Sequence, residues 1–203
     1  MGEPGPIEEA AQAALVGKLV VVPTDTVYGI GTRPDDPDAT ARLFEAKRRP
    51  EQLELPVLVA GSEAAERLGV FDDRARALIR ELWPGALTVI VARREESVTW
   101  SLGGDPRTIG LRMPDHPVAL ALLSRAGALA VTSANISGQP TPATCEELHS
   151  VFASNVEIYL CEEQPIRGTA STVVDVSGAD VRILREGQIS ASNVFDILER
   201  EAT

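Results

Sequence analysis

Aromatic residues are scarce in this chain, where Phe, Trp and Tyr together make up 4%. A platform that stacks successive bases needs several such rings, so a stacking grip on single-stranded nucleic acid is disfavoured. Positive charge is also short: 19 Lys and Arg face 30 Asp and Glu, a net charge of −11. Proteins that hold a phosphate backbone usually present a basic face, because binding releases counterions. Direct binding of nucleic acid is therefore expected to be weak, whereas a local cationic cleft in a negative shell suits a small anion. The two cysteines, Cys145 and Cys161, lie 16 apart with no CxxC. Neither a disulfide framework nor a Cys-based zinc site is expected, and a reducing, cytoplasmic location is the default. His116 and His149 are too few for a His-based metal site and read as structural or surface residues. No run of 18 apolar residues occurs, so no membrane-spanning helix is expected. The start, Met1-Gly2-Glu3-Pro4, lacks a basic region followed by an apolar one, and Pro6 breaks the myristoylation pattern.

What is present is a globular composition, 44% hydrophobic and 24% charged over 203 residues, enough for one large domain spanning 1–203. Apolar spacing predicts a helix over 7–16, stopped by Gly17, and Leu19 to Val22 reads as a buried strand. Asp36, Pro37 and Asp38 open a helix running to about Lys47. Leu55 to Ala60 reads as a strand, Ser62 caps one helix, and Asp72 caps another that reaches Leu82 before Trp83-Pro84-Gly85. Strands are expected over 86–92 and 108–112, a helix over 115–125, and a strand over 129–132. Thr144 caps a helix to about Phe152; strands follow over 156–160, 171–176 and 181–185, and Ser190 starts a closing helix. This alternation predicts a single α/β domain, a twisted mixed sheet flanked by helices.

Several strands run into polar, small-residue segments, where ligands of open α/β sheets bind. Pro23 to Gly31 carries three hydroxyls and a carboxylate directly after a strand, a candidate site or a capped turn. Lys47-Arg48-Arg49 stands out because the chain holds two lysines and seventeen arginines. Such a cluster either clamps phosphate oxygens or offsets a helix dipole at a solvated end. Thr132 to Pro142 supplies hydroxyl, amide and glycine groups suited to phosphates. It matches neither GxxxxGK[ST] nor GxGxxG, and Ser133 lacks the GxSxG context of a nucleophile. Arg112 ends a strand, where its guanidinium could fork a carboxylate. The inventory offers positioning and electrostatic stabilisation of a nucleoside triphosphate, with metal ions carried by the phosphates.

The segments PTDTVYGIG, KRRP, PVLV, LWPGALTVI, TIGLRMP, TSANISGQPTPAT, STVVD and ILREG occur in that order. In this order they resemble the YrdC-like family, the threonylcarbamoyl-AMP synthases, over about residues 10–190, in its short single-domain form. The resemblance implies a YrdC-like fold around a central, positively lined cavity. It implies that L-threonine, bicarbonate or CO2, and ATP give threonylcarbamoyl-adenylate and pyrophosphate. It also implies that separate tRNA-modifying transferase partners pass the group to N6 of adenosine 37, and that Mg2+ arrives with ATP. The family signature falls on Lys47, Arg49, Ser133 and Asn135. The first three would hold phosphates and Asn135 would order that loop. Thr26 and Arg112 resemble the threonine-binding pair, Tyr28 would wall that side, and Thr172 or Ser171 would close it. Thr108, Thr141 and Arg185 match positions that touch ATP. No protein metal ligand is implied. Leu55 and Ala60 depart from family positions near ATP and threonine, and the segment between KRRP and PVLV is about two residues longer than usual. The rival readings are a paralogue of different activity and an RNA-binding translation or ribosome-assembly factor.

Overall fold

Residues of a strand point alternately to the two faces of its sheet, and in this chain that alternation separates two cores. Val20, Val22, Leu58, Leu129 and Val131 belong to one buried cluster, and their neighbours Val21, Val57 and Ala130 belong to the other. The computed structural model describes residues 5–201, so the reading of Met1 to Pro4 as no targeting signal lies outside the described residues.

In chain order the elements are α1 (Pro6–Leu15), β1 (Val20–Val22), β2 (Gly29–Thr32), α2 (Pro37–Lys47), β3 (Val57–Leu58), α3 (Ser62–Leu68), β4 (Gly69–Val70), α4 (Asp73–Leu82), β5 (Leu87–Arg93), β6 (Thr108–Arg112), α5 (Pro117–Ala126), β7 (Leu129–Ser133), α6 (Cys145–Phe152), β8 (Ile158–Tyr159), β9 (Thr172–Asp175), β10 (Arg182–Arg185) and α7 (Ala191–Glu201). The ten strands form one sheet in the order β10-β9-β5-β6-β3-β7-β2-β1-β8, with β4 added beside β5. It is mixed: β1 with β8, β3 with β6 and β5 with β9 are parallel, and the other pairs are antiparallel.

The helix starts follow their caps. Asp36 accepts from the N–H groups of Asp38 and Ala39, with Pro37 in the first turn. Asp72 accepts from Ala75 N–H, and Thr144 forms a capping box with Glu147. Ser62 is not a cap: Gly61 holds that position and makes no side-chain bond. Two strands escape sequence reading because glycine hides them. In β2, side chains at 29 and 31 would run into Val131, with an added Cβ 2.6 Å from a Val131 methyl at either position. Glycine therefore lets β2 fit between β1 and β7, and β4 opens on Gly69.

Helices α1 and α5 pack together over the half of one sheet face that carries Val20, Val22, Leu129 and Val131. The other half of that face, on β5, β6, β9 and β10, is left open and becomes the floor of a cavity. The opposite face, with Val89, Val91, Ile109, Leu111 and Val174, belongs to the larger core.

The two cysteines form a disulfide, with Cα atoms 5.7 Å apart. This corrects the expectation of two unpaired thiols, and the reducing compartment inferred from them loses that support. A spacing of 16 carries no pairing signal. Parallel pairing of β8 with β1 and the bond from Ile166 N–H to the Ala143 carbonyl (2.9 Å) bring Cys161 to the start of α6.

Candidate active site

The cavity encloses about 500 Å³, within the range of small-molecule sites. Strand register selects its lining. Ile90 pairs with Gly110 and with Asp175, and Thr88 pairs with Val173, so these residues share the open face. Gly29 pairs with Ser133 on the same face. In β10 a register irregularity between Ile183 and Arg185 sets Arg185 opposite Val173. Residues three apart on a regular strand face opposite sides; this extra residue lets Arg182 and Arg185 both line the cavity.

Arg112 is buried at the end of β6. Its Nε donates to the Gly85 carbonyl (2.9 Å), Nη1 to Thr26 Oγ1 (3.0 Å) and Nη2 to Asp25 Oδ1 (2.6 Å). Thr26 is held in turn by Thr24, whose hydroxyl lies 2.9 Å from its own. Tyr28 is fully buried and lines the wall, and its Oη accepts the Glu162 N–H (2.9 Å). Gly168 packs so closely on Thr26 that an added Cβ would collide with the Thr26 carbonyl. The segment from Cys161 to Ala170 therefore straps this side of the cavity.

Arg185 donates from Nε to the Ser171 carbonyl (3.0 Å) and from Nη2 to Ser171 Oγ (3.2 Å), and that hydroxyl lies 2.9 Å from Thr88 Oγ1. Arg49 donates to the carbonyls of Leu53 (3.2 Å) and Glu54 (2.9 Å). Burial lowers the pKa of Arg49, Arg112 and Arg185 alike, and repulsion from Arg185 adds to it in the first two. A guanidinium close enough to repel two others marks a place that favours an anion, although Asp25 offsets part of the charge on Arg112. The lining is mixed in sign, because Glu54, Asp105 and Asp175 also reach it, Asp175 being ion-paired with Arg182 at 2.5 Å.

Lys47 has a different place from the one expected. It is 1% exposed, and its Nζ donates to the carbonyls of Ser133 (2.5 Å) and Asn135 (2.6 Å) and to Asn135 Oδ1 (3.3 Å). Burial, with a smaller push from Arg49, lowers its pKa to about 7. With three acceptors on an ammonium that has three N–H groups, Lys47 latches the 133–137 loop instead of lining the cavity. Ser137 N–H returns a bond to the Lys47 carbonyl (2.9 Å). Asn135 belongs to the latch: it accepts from Ser133 Oγ (2.6 Å) and donates to the carbonyls of Ile136 and Gln139.

Of the residues singled out in the sequence, Thr26, Tyr28, Arg49, Thr108, Arg112, Ser133, Ser171 and Arg185 line the one cavity. Lys47, Asn135, Thr141 and Thr172 do not. Thr172 points to the other side of β9, where its hydroxyl donates to the Ile189 carbonyl and accepts from Gly187 and Ile189 N–H groups. Its neighbour Ser171 takes the cavity side, as strand alternation requires. Sequence reading missed Asp25 as the partner of Arg112, and also Thr88, Asp175, Arg182 and Glu54 in the lining. Asp25 lay within a segment already singled out. The others sit in strands or a loop that carry no local signal. Among the described residues no three His, Cys, Asp or Glu converge to hold a metal ion, and no helix is long and apolar enough to cross a membrane.

A family model named Sua5/YciO/YrdC, described as telomere recombination, matches residues 12–187. A Mycobacterium tuberculosis relative is 43% identical over 197 residues, covering 97% of this chain and 90% of its own length. The threonylcarbamoyl-AMP synthase of Vibrio campbellii is 31% identical over 187 residues, covering 89% of this chain and 98% of its own. Among solved structures, Sua5 of Pyrococcus abyssi complexed with L-threonine is similar at a TM-score of 0.86 and 33% identity. That match covers 95% of this chain and 57% of the Pyrococcus chain. YciO of E. coli matches at a TM-score of 0.83 and 25% identity, with 93% of each chain covered.

Proposed function

The chain belongs to the Sua5/YciO/YrdC family, and from that premise we propose that it is a threonylcarbamoyl-AMP synthase acting as a nucleotidyltransferase. The observation that carries this reading is the juxtaposition, in one cavity, of the Arg112–Thr26 pair with Arg49, Ser133 and Arg185. One set suits the carboxylate and hydroxyl of an amino acid, and the other suits phosphates.

In the proposed reaction bicarbonate takes up a proton and loses water to give CO2, which the amine of L-threonine attacks. A C–N bond forms and the amine gives up a proton, leaving a carbamate. A carbamate oxygen then attacks the α-phosphorus of ATP, and the bond from that phosphorus to the bridging oxygen breaks to release pyrophosphate. Arg112 and Thr26 hold threonine, with Tyr28 and Ser171 as walls. Arg49, Ser133, Thr108 and Arg185 hold ATP and offset charge building on the phosphate oxygens. Lys47 and Asn135 act as positioning residues, because they set the loop that carries Ser133. Mg2+ enters as an ion carried by the triphosphate and supplies charge neutralisation there. The cavity acids are largely engaged elsewhere, Asp175 by Arg182 and Ser177 and Asp105 by Arg107, so this lining suits a phosphate-borne ion better than a resident one. The adenylate would pass to a separate tRNA-modifying transferase.

Mass spectrometry of the protein with ATP, Mg2+, L-threonine and bicarbonate tests this. The expected products are pyrophosphate and an adenylate that requires threonine. Pyrophosphate release indifferent to threonine, or none, would overturn the proposal.

A further inference from the structure

Part of the cavity lining is apolar and open. Gly110 leaves its floor open: an added Cβ would touch Thr88 at 3.4 Å, Ile90 at 3.7 Å and Pro56 at 3.8 Å. At the mouth, Leu53 and Leu184 stand 46% and 56% exposed. Large apolar side chains left in water around a cavity mark where the apolar part of a ligand seats.

At the edge of this floor stands Glu54, which the reaction above does not use. Its Oε1 accepts the Gly110 N–H at 3.2 Å, and its other carboxyl oxygen has no hydrogen-bond partner among the described residues. Its backbone is fixed by the bond from Arg49 to its carbonyl, and Gly104 packs against its Cβ.

Resting on the synthase reading, we propose that Glu54 reads the base of the nucleotide, its carboxylic acid group pairing with N1 and the N6 amine of adenine. A carboxylic acid presents one O–H donor and one carbonyl acceptor. Adenine's edge presents one acceptor and one donor, so both hydrogen bonds form. The carboxylate presents acceptors only, which match the N1–H and N2–H donors of guanine instead. Glu54 therefore favours ATP while it keeps its proton. Burial raises its pKa to about 7; Asp105 and Asp175 push the same way, while Arg93 and the Gly110 N–H pull it down. The preference for ATP over GTP falls as pH rises through that value.

Calorimetric titration of the full chain with ATP and with GTP between pH 6 and 8.5 tests the inference without requiring turnover. For the wild type, the ratio of GTP to ATP dissociation constants is expected to fall about tenfold across this range, a modest share of what a bidentate base contact discriminates. In Glu54→Gln the amide keeps one donor and one acceptor at every pH, so the ratio stays high and flat. In Glu54→Leu the ratio is expected to be about tenfold lower than wild type at pH 6. A wild-type ratio that does not change with pH, or a Glu54→Gln profile that copies it, would overturn the inference. ATP binding with these signatures but without threonine-dependent pyrophosphate release would sink the synthase reading and leave Glu54 as the base reader.

Discussion

Lys47, Arg48 and Arg49 are adjacent, yet each does something different. Lys47 ends α2 and points into the protein. Arg48 caps the helix in the left-handed region, at φ 50°, and stands exposed. That turn carries Arg49 to the cavity. The distinction makes a prediction at the scale of single side chains. Lys47→Met removes the donor to two loop carbonyls, and each carbonyl left unsatisfied costs about 1–3 kcal/mol. It is expected to lower the unfolding midpoint in urea and also activity. Arg49→Ala loses a cavity-lining guanidinium, proposed to hold phosphate, without opening the core. It gives up its bonds to the Leu53 and Glu54 carbonyls and is expected to lower the midpoint less than Lys47→Met, while kcat/KM falls about 100-fold or more. Equal stability of the two variants would mean that the Lys47 latch contributes nothing.

Two elements shape the cavity beyond its strands. The irregularity in β10 turns Arg185 to the side of Arg182, and the strap from Cys161 to Ala170 covers Thr26 and Tyr28. The strap is held by the disulfide at its start, by Glu162 N–H on Tyr28, and by Gly168 against Thr26. Closing a loop of this length stabilises a chain by about 3 kcal/mol, mainly by restricting the unfolded state. Cys145→Ser with Cys161→Ser is therefore expected to lower the thermal midpoint, leave far-ultraviolet circular dichroism unchanged, and raise the KM for threonine more than that for ATP. Gly168→Ala should move the same threonine KM without the loss of loop closure, since its added methyl pushes the strap off Thr26. Unchanged threonine kinetics in both variants would show that the strap does not shape the threonine side.

For the molecule as a whole, net charge is −11 and the guanidinium cluster lies inside a cavity. A field of that sign repels a polyanion while the interior accepts a small one. Unmodified tRNA is expected to bind weakly, with a dissociation constant above about 100 μM at physiological salt, the weak end of non-specific binding. Titration at several salt concentrations checks this, and tight, strongly salt-dependent binding would contradict it. The sequence by itself determined the α/β alternation, because apolar periods of two and near 3.6 residues and the caps at Asp36, Asp72 and Thr144 are local properties. It also identified the polar segments after the strands, since those residue types follow a buried run directly. Only the tertiary structure decided which side chains of those segments meet. Lys47 turned inward, Thr172 turned away while Ser171 turned in, Glu54 reached the cavity, and Cys145 met Cys161. The physical reason is that strand register, a single bulge and the crossing of distant segments set the direction of a side chain. All three depend on partners far along the chain, and local composition carries no trace of them.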